Sequence, residues 1–157
     1  LMYGSSGQQE ALWILMLAFI TILEKKNRFI VIEEPEAHLF PVAQKKVVDL
    51  ISLMVNATGS RVIVTTHSPY ILTSWNILLY SEKVESCQKG DVIIPKNIRI
   101  SYEDFAAYKV ENSEDAEISL EMLLDEESHM IRTDYIDEVS SITNAQLERL
   151  LDREVGE

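Results

Sequence analysis

The chain is expected to fold as an α/β domain with a parallel core sheet flanked by helices, and three observations predict it. Phe29-Ile30-Val31-Ile32 is a short, continuous apolar run, the pattern of a strand in a parallel sheet covered on both faces. Arg61 to Thr66 is a second strand of the same type. Between them, Val47, Leu50, Ile51 and Met54 recur at helical spacing and form one apolar face. Strand, helix and strand within so short a stretch make a right-handed βαβ unit.

The remaining elements follow in chain order. Gln8 to Lys26 reads as a helix that Ser5 or Ser6 can cap, with basic residues near its end. It is apolar all round, which predicts burial on most sides. Pro41 suits the first turn of the second helix, and Thr58-Gly59-Ser60 ends it. Beyond His67, Ser68 to Trp75 reads as a short helix and Ile77 to Val84 as a strand. Glu85 to Gly90 is turn-like, and Val92–Ile94 and Ile98–Ile100 read as short strands interrupted by Pro95. Tyr102 to Tyr108 is a helical turn or a strand. Glu117 to Leu124 has a helical pattern, and a weaker one recurs from Tyr135 to Leu151. A boundary is expected at Asp125-Glu126-Glu127-Ser128, dividing a main domain, 1–125, from an acidic helical tail, 126–157.

Composition narrows the class. A chain of 157 residues with 46% apolar content suits one globular domain with its own core. The single Cys87 excludes a disulfide framework within the chain and fits a reducing, cytoplasmic setting. The longest apolar run, Ala11 to Leu23, is shorter than the roughly 18 residues needed to span a membrane. It carries Thr21 and is followed by Glu24-Lys25-Lys26, so a buried helix and no membrane partner are expected. The net charge of −12 is uneven: residues 1–80 hold six basic and six acidic groups, and residues 81–157 hold eight and twenty. An acidic surface repels phosphate backbones, so direct nucleic-acid binding by the C-terminal part is disfavoured. A solvated, solubilising face accounts for the charge equally simply.

The chemistry concentrates in three segments. Ser5-Ser6-Gly7-Gln8 opens a helix, where free backbone N–H groups and the helix dipole attract an anion; an ordinary N-cap is the plainer reading of the same residues. Glu33-Glu34 ends the first strand, and two acids there are costly unless they hold a metal or activate water. His67 follows the second strand, at the edge where an imidazole can reach a bound phosphate. With three histidines and no His-x-x-x-His spacing, a zinc site has no support. Neither a Ser-His-Asp nor a Cys-His arrangement is supported.

In order and spacing, these segments resemble the signature motif, Walker B segment and switch histidine of ABC-type, AAA-family ATPases. They are most similar to the branch of chromosome-maintenance, RecF-like and OLD-type ATPases. Pro35-Glu36-Ala37-His38-Leu39-Phe40-Pro41 continues that likeness, which covers about the first half of the chain. The resemblance implies a P-loop NTPase-like lobe, incomplete without an N-terminal half, and ATP and Mg²⁺ as cofactors. Glu33, where the family commonly has aspartate, would help hold Mg²⁺ through its water shell. Glu34 would be the general base, and His67 would sense the γ-phosphate. Ser5, Ser6, Gly7 and Gln8 would contact the nucleotide of a partner subunit in an ATP-sandwiched homodimer, with Ser6 standing where the family has the first of two glycines. Glu36 and His38 would lie in the loop facing that partner, although His38 also suits an exposed turn.

The phosphate-cradling pattern G-x-x-x-x-G-K-[ST] is absent: none of the glycines at 4, 7, 59, 90 and 156 is followed by Lys-Ser or Lys-Thr. The chain therefore reads as the C-terminal part of a longer ATPase and is expected to be inactive by itself. The family connection points to DNA repair or defence against foreign DNA, with DNA contacted indirectly or through the missing half and a separate effector protein as a further partner. A second reading is a non-hydrolysing module that docks an effector through the acidic tail. A third, an OLD-type nuclease, is disfavoured because no Asp-x-Asp pair follows His67.

Overall fold

A computed structural model describes residues 6–85, 92–112 and 118–133. It shows a mixed α/β architecture with a small parallel sheet. The βαβ unit is β1 (Phe29–Glu33), α2 (Pro41–Thr58) and β2 (Arg61–Thr65), preceded by α1 (Ser6–Glu24) and followed by α3 (Pro69–Glu85). β1 and β2 pair in parallel without a slip, from Phe29↔Arg61 to Glu33↔Thr65.

The start of that register is pinned by short polar contacts. The Ser60 hydroxyl accepts from the Arg28 amide at 3.1 Å, and the Arg61 amide donates to the Arg28 carbonyl at 2.8 Å. α2 reaches this point through a left-handed Gly59 (φ 67°), whose amide closes the helix on the Val55 carbonyl. Pro41 begins the helix at the position where a missing N–H costs nothing.

The core lies around α2. Val47, Val48, Ile51 and Met54 pack with Ile30 and Ile32 of β1, Ala18 of α1, and Ile71, Trp75, Leu78 and Leu79 of α3. Burial in β1 alternates, so its second face, with Phe29 and Val31, is exposed together with Ile63 of β2. The sheet is thus covered on one face among the described residues, not on both. α1 also departs from expectation. Ala18 and Thr21 are buried, whereas Trp13, Leu15, Met16, Phe19, Ile20 and Leu23 are exposed. Apolarity shows that a surface can be buried; only the neighbours decide which side is.

After His67, several expectations are corrected. Pro69–Glu85 is one continuous helix, not a short helix and a strand. Ile71, Trp75, Leu78 and Leu79 recur at four- and three-residue steps and share its buried side, which a strand could not achieve. The strands expected at Val92–Ile94 and Ile98–Ile100 are replaced by irregular chain and a 3₁₀ turn, Lys96–Ile98. That turn sits against α2, where Asn56 donates to the carbonyls of Asn97 and Arg99. Tyr102–Asp104 forms another 3₁₀ turn.

The helix expected over Glu117–Leu124 is instead β4 (Ile118–Met122), antiparallel to β3 (Tyr108–Asn112). The pairs Tyr108↔Met122 and Val110↔Leu120 put the large apolar groups on one face and Lys109↔Glu121 on the other. The alternating text of Ile118-Ser119-Leu120-Glu121-Met122 serves a strand once a partner is present.

β5 (Leu124–Asp125) and β6 (Met130–Ile131) form a second small hairpin across the boundary expected at residue 125. Its turn is held by Asp125, whose carboxylate is kept below its ordinary range by hydrogen bonds from the Ser128 side chain and backbone. Asn76 of α3 grips the end of β6 twice, donating to the Ile131 carbonyl and accepting from its amide. Of the turn-like segment Glu85–Gly90, Glu85 ends α3 and the rest lies outside the described residues, as do the helical pattern of Tyr135–Leu151 and the tail from 134 onward. No helix among the described residues is long and apolar enough to cross a membrane.

The continuous α3 makes a direct prediction. Leu78→Ala should cost about 2–5 kcal/mol in urea unfolding, as large-to-small core changes do. Its neighbour Ile77, 42% exposed, should cost under about 1 kcal/mol when changed to Ala. Equal losses would contradict the helical placement of this segment.

Candidate active site

The site grows from the C-terminal edge of the β1–β2 pair. β1 ends at Glu33, opposite Thr65, and the ladder extends one residue further: the Glu34 amide donates to the Thr65 carbonyl at 2.9 Å. The chain then reverses. Glu34 and His38 are both left-handed (φ 43° and 55°), a conformation that costs a non-glycine residue of order 1–3 kcal/mol unless its surroundings impose it. Between them, the Ala37 amide donates to the Glu34 carbonyl and the Leu39 amide to the Glu36 carbonyl, both at 2.9 Å.

That reversal aims Glu34 toward the loop after β2. Its Oε1 lies 3.4 Å from His67 Nε2, although the residues are far apart in sequence. Both side chains face solvent, at 56% and 89% exposure, so the pair is open to a ligand and weak as a stabilising contact. Glu33 is exposed on the strand face that also carries Phe29 and Val31.

Two side chains lock the reversal to the His67 loop. Glu36 Oε1 accepts from the Thr66 hydroxyl at 2.6 Å and from the His67 amide at 2.8 Å, while its Oε2 is buried without a hydrogen-bond partner. Thr66 Oγ1 in turn accepts from the Ser68 amide at 3.0 Å. Gln44 of α2 supplies the second link. It donates to the Leu39 carbonyl at 2.8 Å and accepts from the Ser68 hydroxyl at 2.6 Å. Ser68 Oγ also receives the Tyr70 amide, capping α3. The sequence pointed to neither Gln44, Thr66 nor Ser68 for this role. The one signal for Ser68 was its place directly before a proline at a helix start.

Of the segment Ser5–Gln8, Ser5 and the side chains of Ser6 and Gln8 lie outside the described residues. Gly7 is buried at the start of α1 against the reversal: a Cβ there would meet the His38 carbonyl oxygen at 2.2 Å and its carbon at 2.9 Å. Gly7 therefore abuts the His38 turn. His38 itself is exposed, with Nε2 3.8 Å from Glu10 of α1. Phe40 and Val42, just beyond it, are also exposed.

Magnesium takes hard oxygen ligands and keeps several waters, binding through one or two carboxylates plus substrate phosphates. Two solvent-facing carboxylates at a strand end fit that requirement. Among the described residues there is no cluster of three or more His, Cys, Asp or Glu able to cage a metal alone.

Comparison with known proteins adds one finding. Residues 1–72 match the family described as the AAA ATPase domain, a span that includes every site residue above. No curated protein and no solved structure matches the chain. The match covers less than half of the chain and is a similarity of this region to AAA ATPase domains.

The close approach at Gly7 predicts that Gly7→Ala destabilises the protein by about 1–3 kcal/mol, because the obstructing atoms are backbone and cannot swing aside. Thermal unfolding monitored by circular dichroism is the measurement. An unchanged midpoint would show that α1 does not press on the His38 turn in solution.

Proposed function

We propose that this chain is the C-terminal catalytic part of an ABC-type ATPase that hydrolyses ATP as a nucleotide-sandwich dimer. The observation that carries the reading is the 3.4 Å approach of Glu34 to His67 at the shared edge of two parallel strands, within the region that matches the AAA ATPase domain. Ligands of open α/β sheets bind beyond that edge.

In this mechanism Glu34 accepts a hydrogen bond from the attacking water and takes its proton as the water oxygen bonds to the γ-phosphorus and the bond from that phosphorus to the bridging oxygen breaks, so that ADP leaves with the electron pair. His67 contacts the γ-phosphate and helps hold Glu34 in line. Phosphoryl transfer depends chiefly on positioning and charge stabilisation, which suits a site whose backbone is locked from two sides. Glu33 would hold Mg²⁺ through its water shell, and the ion, when bound, would supply charge neutralisation to the phosphates. Ser5 to Gln8 reach the nucleotide of the partner subunit. Glu36 and His38 belong to the segment turned toward that subunit, where exposed Phe40 and Val42 offer apolar area for the contact. ATP binding closes the dimer and hydrolysis opens it, in a cytoplasmic protein coupled to DNA repair or defence through an effector.

Two experiments test this. In the intact ATPase, Glu34→Gln should retain ATP binding and lower phosphate release by roughly 10²–10⁴-fold, the usual worth of a general base. Wild-type turnover would remove Glu34 from the role. The 157 residues alone contain no P-loop lysine or its nest of amides, so calorimetry with ATP and Mg²⁺ should detect negligible binding. Micromolar affinity would mean that the phosphates are held by other residues of this chain.

A further inference from the structure

Glu36 has a different setting from the two acids before it. Glu33 and Glu34 are exposed, whereas Glu36 turns one oxygen onto Thr66 and His67 and buries the other. Burying a carboxylate oxygen with no partner is unfavourable. The arrangement persists only if the bonds at Oε1 repay it, and both are charge-assisted and short. Their donors are the hydroxyl of Thr66 and the amide of His67. Because Thr66 Oγ1 also receives the Ser68 amide, three successive residues of the loop are fixed on this one carboxylate.

The consequence falls on His67. Its side chain is almost fully exposed and approaches Glu34. What orients an exposed imidazole is its own backbone, and that backbone is anchored by Glu36. The anchor belongs to the same reversal that carries Glu34, so the two ends of the Glu34–His67 pair are referred to one rigid turn.

We propose that Glu36 is a positioning residue that holds His67 opposite Glu34. This rests on the ATPase reading for its catalytic consequence but not for its structural content. It also gives Glu36 an inward role within its own chain, distinct from contact with a partner subunit.

The structural content is tested by NMR on this chain without nucleotide. The His67 amide lies near the surface, so its protection from hydrogen exchange reports the bond to Glu36. Wild type and Glu36→Gln, which keeps the accepting oxygen, should show that protection and a nuclear Overhauser contact between the His67 ring and the Glu34 side chain. Glu36→Ala should reduce protection roughly 10- to 100-fold, as expected for loss of a hydrogen bond to a charged group, and should abolish the ring contact. Unchanged protection and contact in Glu36→Ala would overturn the proposal. If Glu36→Ala does not fold, Thr66→Val replaces it. Removing the hydroxyl bond should weaken the ring contact relative to Glu36→Gln, and equal contacts would overturn the proposal.

The catalytic consequence is tested in the intact ATPase by a double-mutant cycle. Glu36→Ala should lower kcat about 10- to 100-fold with ATP affinity unchanged, and should add nothing in a His67→Ala background. Full additivity would show that Glu36 acts otherwise than through His67. If Glu34→Gln hydrolysed ATP like wild type, the proposed function would fail, while the exchange and ring-contact measurements would still decide the role of Glu36.

Discussion

The reversal from Glu34 to Leu39 is the constraint on which the rest of the structure depends. It must turn the chain out of β1 and into α2 within six residues, and it does so with left-handed backbone at both Glu34 and His38. Neither residue favours that conformation, so the turn is held from outside. Gly7 presses on it from α1, Gln44 ties it to α2 and α3, and Glu36 ties it to the loop after β2. Four elements thereby meet at a point where two acids and a histidine are displayed.

This explains how an exposed pair can be well placed. Glu34 and His67 contribute little to stability themselves, since both are hydrated. Their placement is inherited from neighbouring bonds, in which one oxygen of Glu36 joins Thr66 to the His67 amide and Gln44 joins Ser68 to the Leu39 carbonyl. Rigid support with a reactive surface suits phosphoryl transfer, where orientation supplies much of the rate. Buried polar links of this kind favour one arrangement because any alternative leaves donors unpaired.

The core has a complementary asymmetry. α2 is packed by α1, β1 and α3, yet the second sheet face and most of α1 are apolar and exposed. Exposed apolar side chains mark an interaction surface when they form a contiguous patch of more than a few hundred Å². The β3–β4 ribbon repeats the pattern, with Tyr108, Val110, Ile118, Leu120 and Met122 gathered on one exposed face.

The sequence by itself determined the βαβ unit. Pro41 and Gly59 bracket α2, the strands are apolar runs, and these are local signals that need no tertiary partner. It also placed Glu33, Glu34 and His67 at strand ends on one edge, because the parallel pairing of those strands follows from a single crossover. Tertiary structure decided the rest. Ile77–Val84 is helical because Leu78 and Leu79 bury against the core beside Ile71 and Trp75, a preference invisible in a short apolar window. Ile118–Met122 is a strand because β3 completes its hydrogen bonds, where the isolated segment read as a helix. Which face of β1 and of α1 is covered was likewise settled by neighbours. So was the turn of Glu36 toward Thr66 and His67: a carboxylate's partners three-dimensionally adjacent but thirty residues away, as for Thr66, leave no trace in local spacing.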